Sequence, residues 1–556
     1  MNRLTTAALG AAALGAAALT LPAPAAACGG FFCNNQAIDQ SGENILFSYN
    51  ADGTITTVVQ ILYTGPSEEF AWILPVPAEP TVDVGTDTLF QQLGQSTVPR
   101  FTTDRETTGT CRSQPSCRGY WDDRGWGPES EDSFGAAADA GVAPPSDPDV
   151  DVRLRANVGP YDVAVLAAGS ADALREWLDD NGYLIPESAA GELDHYVELD
   201  HFFVALRLQK NRDAGEIQPI VLTSASDEPC IPIRLTRIAT VPNMPITAYF
   251  LAERRARPMN FMLVDADLDD FGLYTGLSRY NDAVTTAVDD AGGRAFVTDY
   301  AGDVPTLSLR LMAIEDLREE TDPAAFLRGL QDRGFTGDSQ LLNLLQTFLP
   351  PPEEYEAQTF YNCLIQGWCI DEPGVVSHLE SLGFSPNSLV DAINQAIVDP
   401  RNAAQDMLDA HSTITRLFTT MSADEMTEDP MFMLSDELER EVSNVHTATR
   451  TTECGPEYFS WTAPQTLTLP SGLSRVERVG VPYYGSDDAY CEDRYEGDFR
   501  PGMPTERLRE VSDERGTTPG GGGICSVSPA RDASMLGSVG VVGFAMMAFV
   551  WRRRRS

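Results

Sequence analysis

Apolar and polar residues alternate along NILFSYN and ITTVVQILYTG, on either side of an Asp52-Gly53 turn signal. That period of two predicts a β-hairpin. FAWILPVPAEP predicts a further strand, stopped by Pro75 and Pro77 at an edge or exit of its sheet. TDTLFQQLGQ has the spacing of a short helix, and YDVAVLAA that of a strand. Ser170 then caps a helix with Leu174, Trp177 and Leu178 on one face, ended by Asn181-Gly182. HFFVALRLQ, IQPIVLTS, IPIRLTRIAT and PITAYFLA predict four more strands.

From about residue 320 to 421 the period lengthens to that of a helix. SQLLNLLQTFL and SPNSLVDAINQAIV are amphipathic, the second with Ser385 as N-cap and Pro386 at its first position. RNAAQDMLDAHSTITRLFTTM sets Met407, Ile414 and Met421 seven apart, with Leu417 and Phe418 widening the stripe, and predicts a third helix. TLTLPSGLSRVERVGVPYY returns to a strand pattern. The fold class expected is α+β: strand-rich and mostly antiparallel at the start and middle, helical at about 320–421, β-rich towards the end, with a single C-terminal transmembrane helix.

The ends of the chain set a compartment. Arg3 precedes an Ala/Leu-rich stretch, Pro22 and Pro24 break it, and Ala25-Ala26-Ala27 offers a small-residue cleavage site. This is the pattern of a secretory signal peptide cut after Ala27, leaving Cys28, a candidate for lipidation, at the mature start. At the other end Met535–Trp551 is uncharged and about 26 Å long as a helix. Arg552, Arg553, Arg554 and Arg555 follow and hold that end in the cytoplasm.

Composition adds an acidic surface. There are 82 acidic and 39 basic residues, a net charge of −43, and Lys210 is the one lysine. Such a surface repels phosphate backbones and argues against nucleic-acid partners. Ten cysteines in an exported chain imply disulfides. Local candidates are Cys28/Cys33, Cys111/Cys117 and Cys363/Cys369, with Cys454/Cys491 as a longer fourth pair. Processing at Cys525 would leave Cys230 as the odd thiol, whereas lipidation of Cys28 would change the parity. None of these pairs has C-x-x-C spacing, so zinc and dithiol redox chemistry are disfavoured.

Searches for catalytic chemistry return little. GLSRY, GLSRV and GFSPN each lack the second glycine of a G-x-S-x-G elbow. His195 and His201 in DHYVELDH are spaced for neither one helical face nor close approach along a strand. Asp265, Asp267 and Asp269 begin like a calcium loop, but Asp270 and Gly276 stand where glycine and glutamate are required. No cofactor is expected, with a nonstandard calcium site the one opening left by so many acids. Paired glycosidase carboxylates have no sequence spacing by which to recognise them.

Two resemblances organise these readings. GGGGIC, the apolar span and the arginine cluster resemble a MYXO-CTERM sorting tail, which implies cleavage near Cys525 and delivery to the cell surface; a permanent single-span anchor is the alternative. CGGFFC, QSGENILF, FAWILPVPAEP, YDVAVL, LREWLDDNGY, TRLFTTMSADEMTEDPMF and NVHTA resemble the bacterial domain of unknown function 2330. That resemblance implies an exported domain with a disulfide near its start, and no catalytic residue.

The chain then divides into a signal peptide (1–27), strand-rich start (28–118), acidic low-complexity insertion (119–152), α+β body (153–318), helical region (319–425), β-rich end (426–484), polar stalk (485–524) and sorting tail (525–556). The function expected is non-enzymatic binding, adhesion or envelope structure at the cell surface. Its partners are the envelope and the export and sorting machinery, and its ligand is unknown. The alternative is an exported hydrolase that attacks envelope or external polymers through acidic residues.

Overall fold

Asn50 and Gly53 close the first turn: the Gly53 amide donates to the Asn50 carbonyl at 3.1 Å, and Gly53 takes φ 85°, a conformation that costs glycine little. The turn joins β1 (Asp39–Tyr49) to β2 (Ile55–Thr64) in an antiparallel hairpin. The computed structural model describes residues 39–485 except 65–70, 115–149, 184–186, 210–216, 227–228, 270–272, 276–278 and 354.

The strands continue with β3 (Ala71–Val76), β4 (Thr81–Val84), β5 (Arg100–Thr108), β6 (Val150–Val158) and β7 (Tyr161–Ala168). Next come β8 (Phe202–Leu208), β9 (Ile220–Ser224), β10 (Met244–Ala252), β11 (Arg255–Pro258) and β12 (Met262–Leu263). The last are β13 (Ala295–Asp303), β14 (Thr413–Met421), β15 (Phe432–Ser435), β16 (Val445–Glu453), β17 (Gln465–Thr468) and β18 (Ser474–Arg478). The helices begin with α1 (Asp87–Thr97), α2 (Ala171–Asp180), α3 (Glu187–Glu198), α4 (Ile233–Thr236) and α5 (Tyr280–Asp290). They end with α6 (Pro323–Asp332), α7 (Ser339–Phe348), α8 (Ala357–Gln366), α9 (Pro373–Ser381), α10 (Pro386–Ile393) and α11 (Asp399–Asp409).

The chain separates into two compact units. The larger takes Met1–Thr110, Gly119–Cys454 and Pro464–Val479. Its main sheet has the order β12-β13-β14-β10-β1-β2-β9-β4, and a second sheet the order β3-β8-β7-β6. Inward residues of both, among them Ile45, Phe47, Val59, Trp72, Leu74, Val163, Leu206 and Leu222, make one apolar core between the sheets. On the far side of the four-stranded sheet, Leu174, Trp177 and Leu178 of α2 and Leu193 and Tyr196 of α3 pack against Ile73, Leu166 and Phe203. On the far side of the main sheet lie Leu89, Phe90 and Leu93 of α1 and Ala404 and Leu408 of α11. The arrangement is helix, sheet, sheet, helix, each layer burying the apolar face of the next. Helices α6–α10 gather around a core of their own. A further sheet, β18-β17-β16-β5, belongs to the same unit.

The smaller unit takes Cys111–Arg118, Gly455–Ala463 and Gly480–Ser556. In its described part the Arg112 guanidinium lies over the rings of Phe459 and Tyr483, at 5.5 and 5.2 Å, and Phe459 stacks on Trp461.

Mixed α+β architecture, expected from the patterning, is what the structure has. Most described strand pairs are antiparallel, but β1–β10, β5–β16 and β12–β13 are parallel. Several local readings need correction. The third helix, expected over 401–421, is α11 followed by the strand β14. All nine residues of β14 are buried, because it lies between β10 and β13 with material on both faces. The threonines that gave the segment a polar helical face are inside: Thr415 Oγ1 accepts from the Ala256 amide at 3.0 Å, and Thr285 and Thr420 share a bond at 2.7 Å. Helix α11 is instead continuous with α10 through a π turn at Asn394–Val398, just ahead of Pro400, which has no amide hydrogen to donate.

IPIRLTRIAT, read as a strand, coils into α4. Pro232 precedes it, and the Arg234 amide donates to Asp429 Oδ1 at 3.0 Å, satisfying a donor at the helix start. Pro75 does not stop β3, which runs on to Val76; β3 is an edge strand, where a missing donor is tolerated. β6 starts at Val150, inside the stretch 119–152 read as an acidic insertion, and residues 119–149 lie outside the described residues. Ser170 caps α2 as expected, its Oγ accepting from the Ala173 amide, and Gly182 follows with φ 80°. The signal peptide, stalk, span 535–551 and arginine cluster also lie outside the described residues. No described helix is long and apolar enough to cross a membrane.

Candidate functional site

Strand alternation turns Glu43 of β1 to the same side as Ile45 and Phe47. All three line a cleft of about 50 Å3 between the two sheets. Ile55, Thr57 and Val59 of β2 and Leu222 and Ser224 of β9 continue one wall. Leu74, Pro75 and Val76 come from β3, and Cys230 from the segment between Pro229 and Pro232. β1, β2 and β9 each contribute alternate residues, so those walls are a direct product of the pleat. Glu43 and Cys230 are the titratable groups of this lining.

Glu43 is 4% exposed. Among the described residues its polar partner is Gln40, whose Nε2 donates to Oε2 at 3.4 Å. Burial pushes its carboxyl from 4.5 up to about 7, against the lowering effect of the Gln40 bond. The group can therefore donate a hydrogen bond in mildly acidic water and carry a negative charge in mildly basic water.

Three other polar clusters are built into the same unit. Asp429 accepts from Tyr196 Oη at 2.7 Å and from the Arg234 amide, while Arg234 and Arg237 both reach Glu192, at 3.0 and 3.1 Å. Burial raises the Asp429 carboxyl, and the Arg234 and Tyr196 bonds oppose it. His195 and His201 both pack against the Tyr196 ring, with centroids at 5.4 and 5.5 Å. The spacing did not suggest this. After α3 the chain reverses through Asp200 at φ 57°, and the His201 amide returns to the Tyr196 carbonyl at 3.0 Å.

In the second cluster Arg416 of β14 pairs with Asp299 of β13 at 2.9 Å, and Tyr280 donates to the other Asp299 oxygen. The guanidinium lies 5.7 Å from the Tyr249 ring centroid. Burial lifts Asp299 to about 6, opposed first by Arg416. In the third, Ser48 Oγ lies 2.8 Å from His411 Nε2, tying β1 to the end of α11. Ser48 is fully buried. Burial lowers the His411 imidazole, and the charge of Glu253 works the other way.

Of the residues singled out in the sequence, Cys363 and Cys369 are joined, buried in the helical core at the end of α8. Cys111 and Cys454 each take part in a disulfide whose partner lies outside the described residues. Cys28, Cys33, Cys117, Cys491, Cys525, Ala27 and Arg552–Arg555 lie outside the described residues. Asp267 accepts from the Asp269 amide in a local turn, and Asp269 accepts from Ser471 Oγ at 2.8 Å, a contact between segments far apart in sequence. Among the described residues no group of three His, Cys, Asp or Glu side chains is placed to hold a metal ion. Glu43 was missed. Its signal was present: it stands two residues before Ile45, in register with the core-facing positions.

Comparison with known proteins finds one family. The model for DUF2330, "Uncharacterized protein conserved in bacteria", matches residues 22–349, which include every strand that lines the cleft. No curated protein and no solved structure matches the chain.

Proposed function

The chain belongs to the DUF2330 family, and from that premise we propose that it is an exported, envelope-anchored protein whose body binds a small ligand in the cleft between its sheets. The cleft carries the reading: it is apolar, it draws residues from both sheets, and a single acid is buried in its wall. The disulfides at Cys363–Cys369 and at Cys111 and Cys454 suit an oxidising compartment. The leader ending at Ala27 and the arginine-terminated span 535–551 supply export and anchoring. The buried Asp299 and the partly buried Asp429 and Glu192 are held by arginine, tyrosine or backbone donors, an arrangement that serves folding.

Native mass spectrometry of the protein taken from its own envelope tests this. The expected product starts at Cys28, is processed near Cys525, has oxidised cysteines and carries a small adduct that is lost on denaturation. Recovery of the whole chain from the cytosol, with Met1 present and all thiols reduced, would overturn it.

A further inference from the structure

We infer that the cleft takes a small aliphatic ammonium, with the Glu43 carboxylate as its counter-ion. The inference rests on the binding reading above and narrows it to a ligand class. Glu43 is almost fully buried, and among the described residues its polar partner is one long Gln40 bond. An ionised carboxylate in such a place is costly unless a positive charge meets it. Among the described residues that line the cleft, none is a lysine, arginine or histidine. From β2 come Ile55, Thr57 and Val59, from β3 Leu74 and Val76, from β9 Leu222 and Ser224, and from the 229–232 segment the thiol of Cys230.

The missing charge is therefore one a ligand can bring. A primary ammonium offers charge-assisted donors, and its short methylene chain matches walls of isoleucine, valine, leucine and phenylalanine. The volume suits a few heavy atoms and excludes a polymer chain. An anion would meet Glu43 with like charge, and a neutral alcohol would leave it uncompensated. The net charge of −43 raises the local concentration of cations around the molecule. The elevated carboxyl value of Glu43 agrees with an acid that lacks a partner.

Calorimetric titration of the full chain with n-butylammonium and with 1-butanol tests the assignment, at pH 8 and pH 6 and in Glu43→Gln. At pH 8 the amine is expected to bind at least tenfold more tightly than the alcohol. That advantage should fall about tenfold at pH 6, where protons compete for Glu43. In Glu43→Gln the two ligands should bind alike. The pH comparison uses the unaltered protein, so it stands even if the variant folds poorly. Equal binding of amine and alcohol at pH 8 would overturn the ammonium assignment while leaving a ligand cleft. Binding of neither would overturn both.

Discussion

Glu43 and Arg416 show how one residue's surroundings set its chemistry. Both are charged types on core strands, and they are stabilised differently. Glu43 relies on protonation. Its native value of about 7 lies above 4.5, so the folded state holds the proton more tightly than the unfolded chain. Its contribution to stability is complete below about pH 4.5 and is lost as pH rises through about 7, a change of about 3 kcal/mol. Glu43→Gln should therefore match the wild type near pH 5 and exceed it near pH 8, as read by urea denaturation at the two pH values. Equal pH dependence in the two proteins would contradict the burial argument.

Arg416 relies instead on a partner, Asp299, which is 2% exposed. Arg416→Met should cost about 3 kcal/mol at pH 8, because it strands a buried acid. The loss should be smaller at pH 5, where Asp299 can protonate. The double variant with Asp299→Asn should recover part of it, and strictly additive losses would argue against the pair.

At the scale of elements, the decisive boundary is the one between α11 and β14. A seven-residue apolar spacing describes one helical stripe, but it also places residues on both faces of a strand buried on both sides. TITRLFTTM is rich in β-branched residues, which favour the pleated surface, and local preference and tertiary burial agree there. The helical cluster α6–α10 has its own core and its own bond, Cys363–Cys369. Replacing both cysteines with serine should lower its stability by about 2 kcal/mol, the scale expected for a short loop. Hydrogen exchange should show faster opening in α8 and α9, with β1, β10 and β14 protected as before. A uniform loss across both regions would mean that the cluster and the sheets unfold as one.

At the scale of the molecule, two sheets packed face to face with helices outside create an interior between the sheets, and the cleft is part of that interior. The cleft draws on β1, β2, β3, β9 and the 229–232 segment, so it is a property of the assembled unit. A substitution that separates the sheets without touching the lining, such as Val163→Asp on β7, should abolish ligand binding together with cooperative unfolding. Retained binding in that variant would place the ligand elsewhere.

Strands and helices with one clear period were legible along the chain: the β1–β2 hairpin, β7, β8, β10, α1, α2, α7 and α10, together with the Ser170 cap. Their signals are local, carried by alternation, turn residues and caps a few positions apart. The identity of β14, the coil of α4, the parallel pairing of β1 with β10 and the meeting of His195 and His201 at Tyr196 were settled by the assembled fold. Each depends on neighbours far away in sequence: Ala256 for Thr415, Asp429 for Arg234, and a chain reversal for the histidines. The charge of Glu43 belongs with these, because its value is set by the desolvation that a second sheet imposes, and no stretch of β1 contains that sheet.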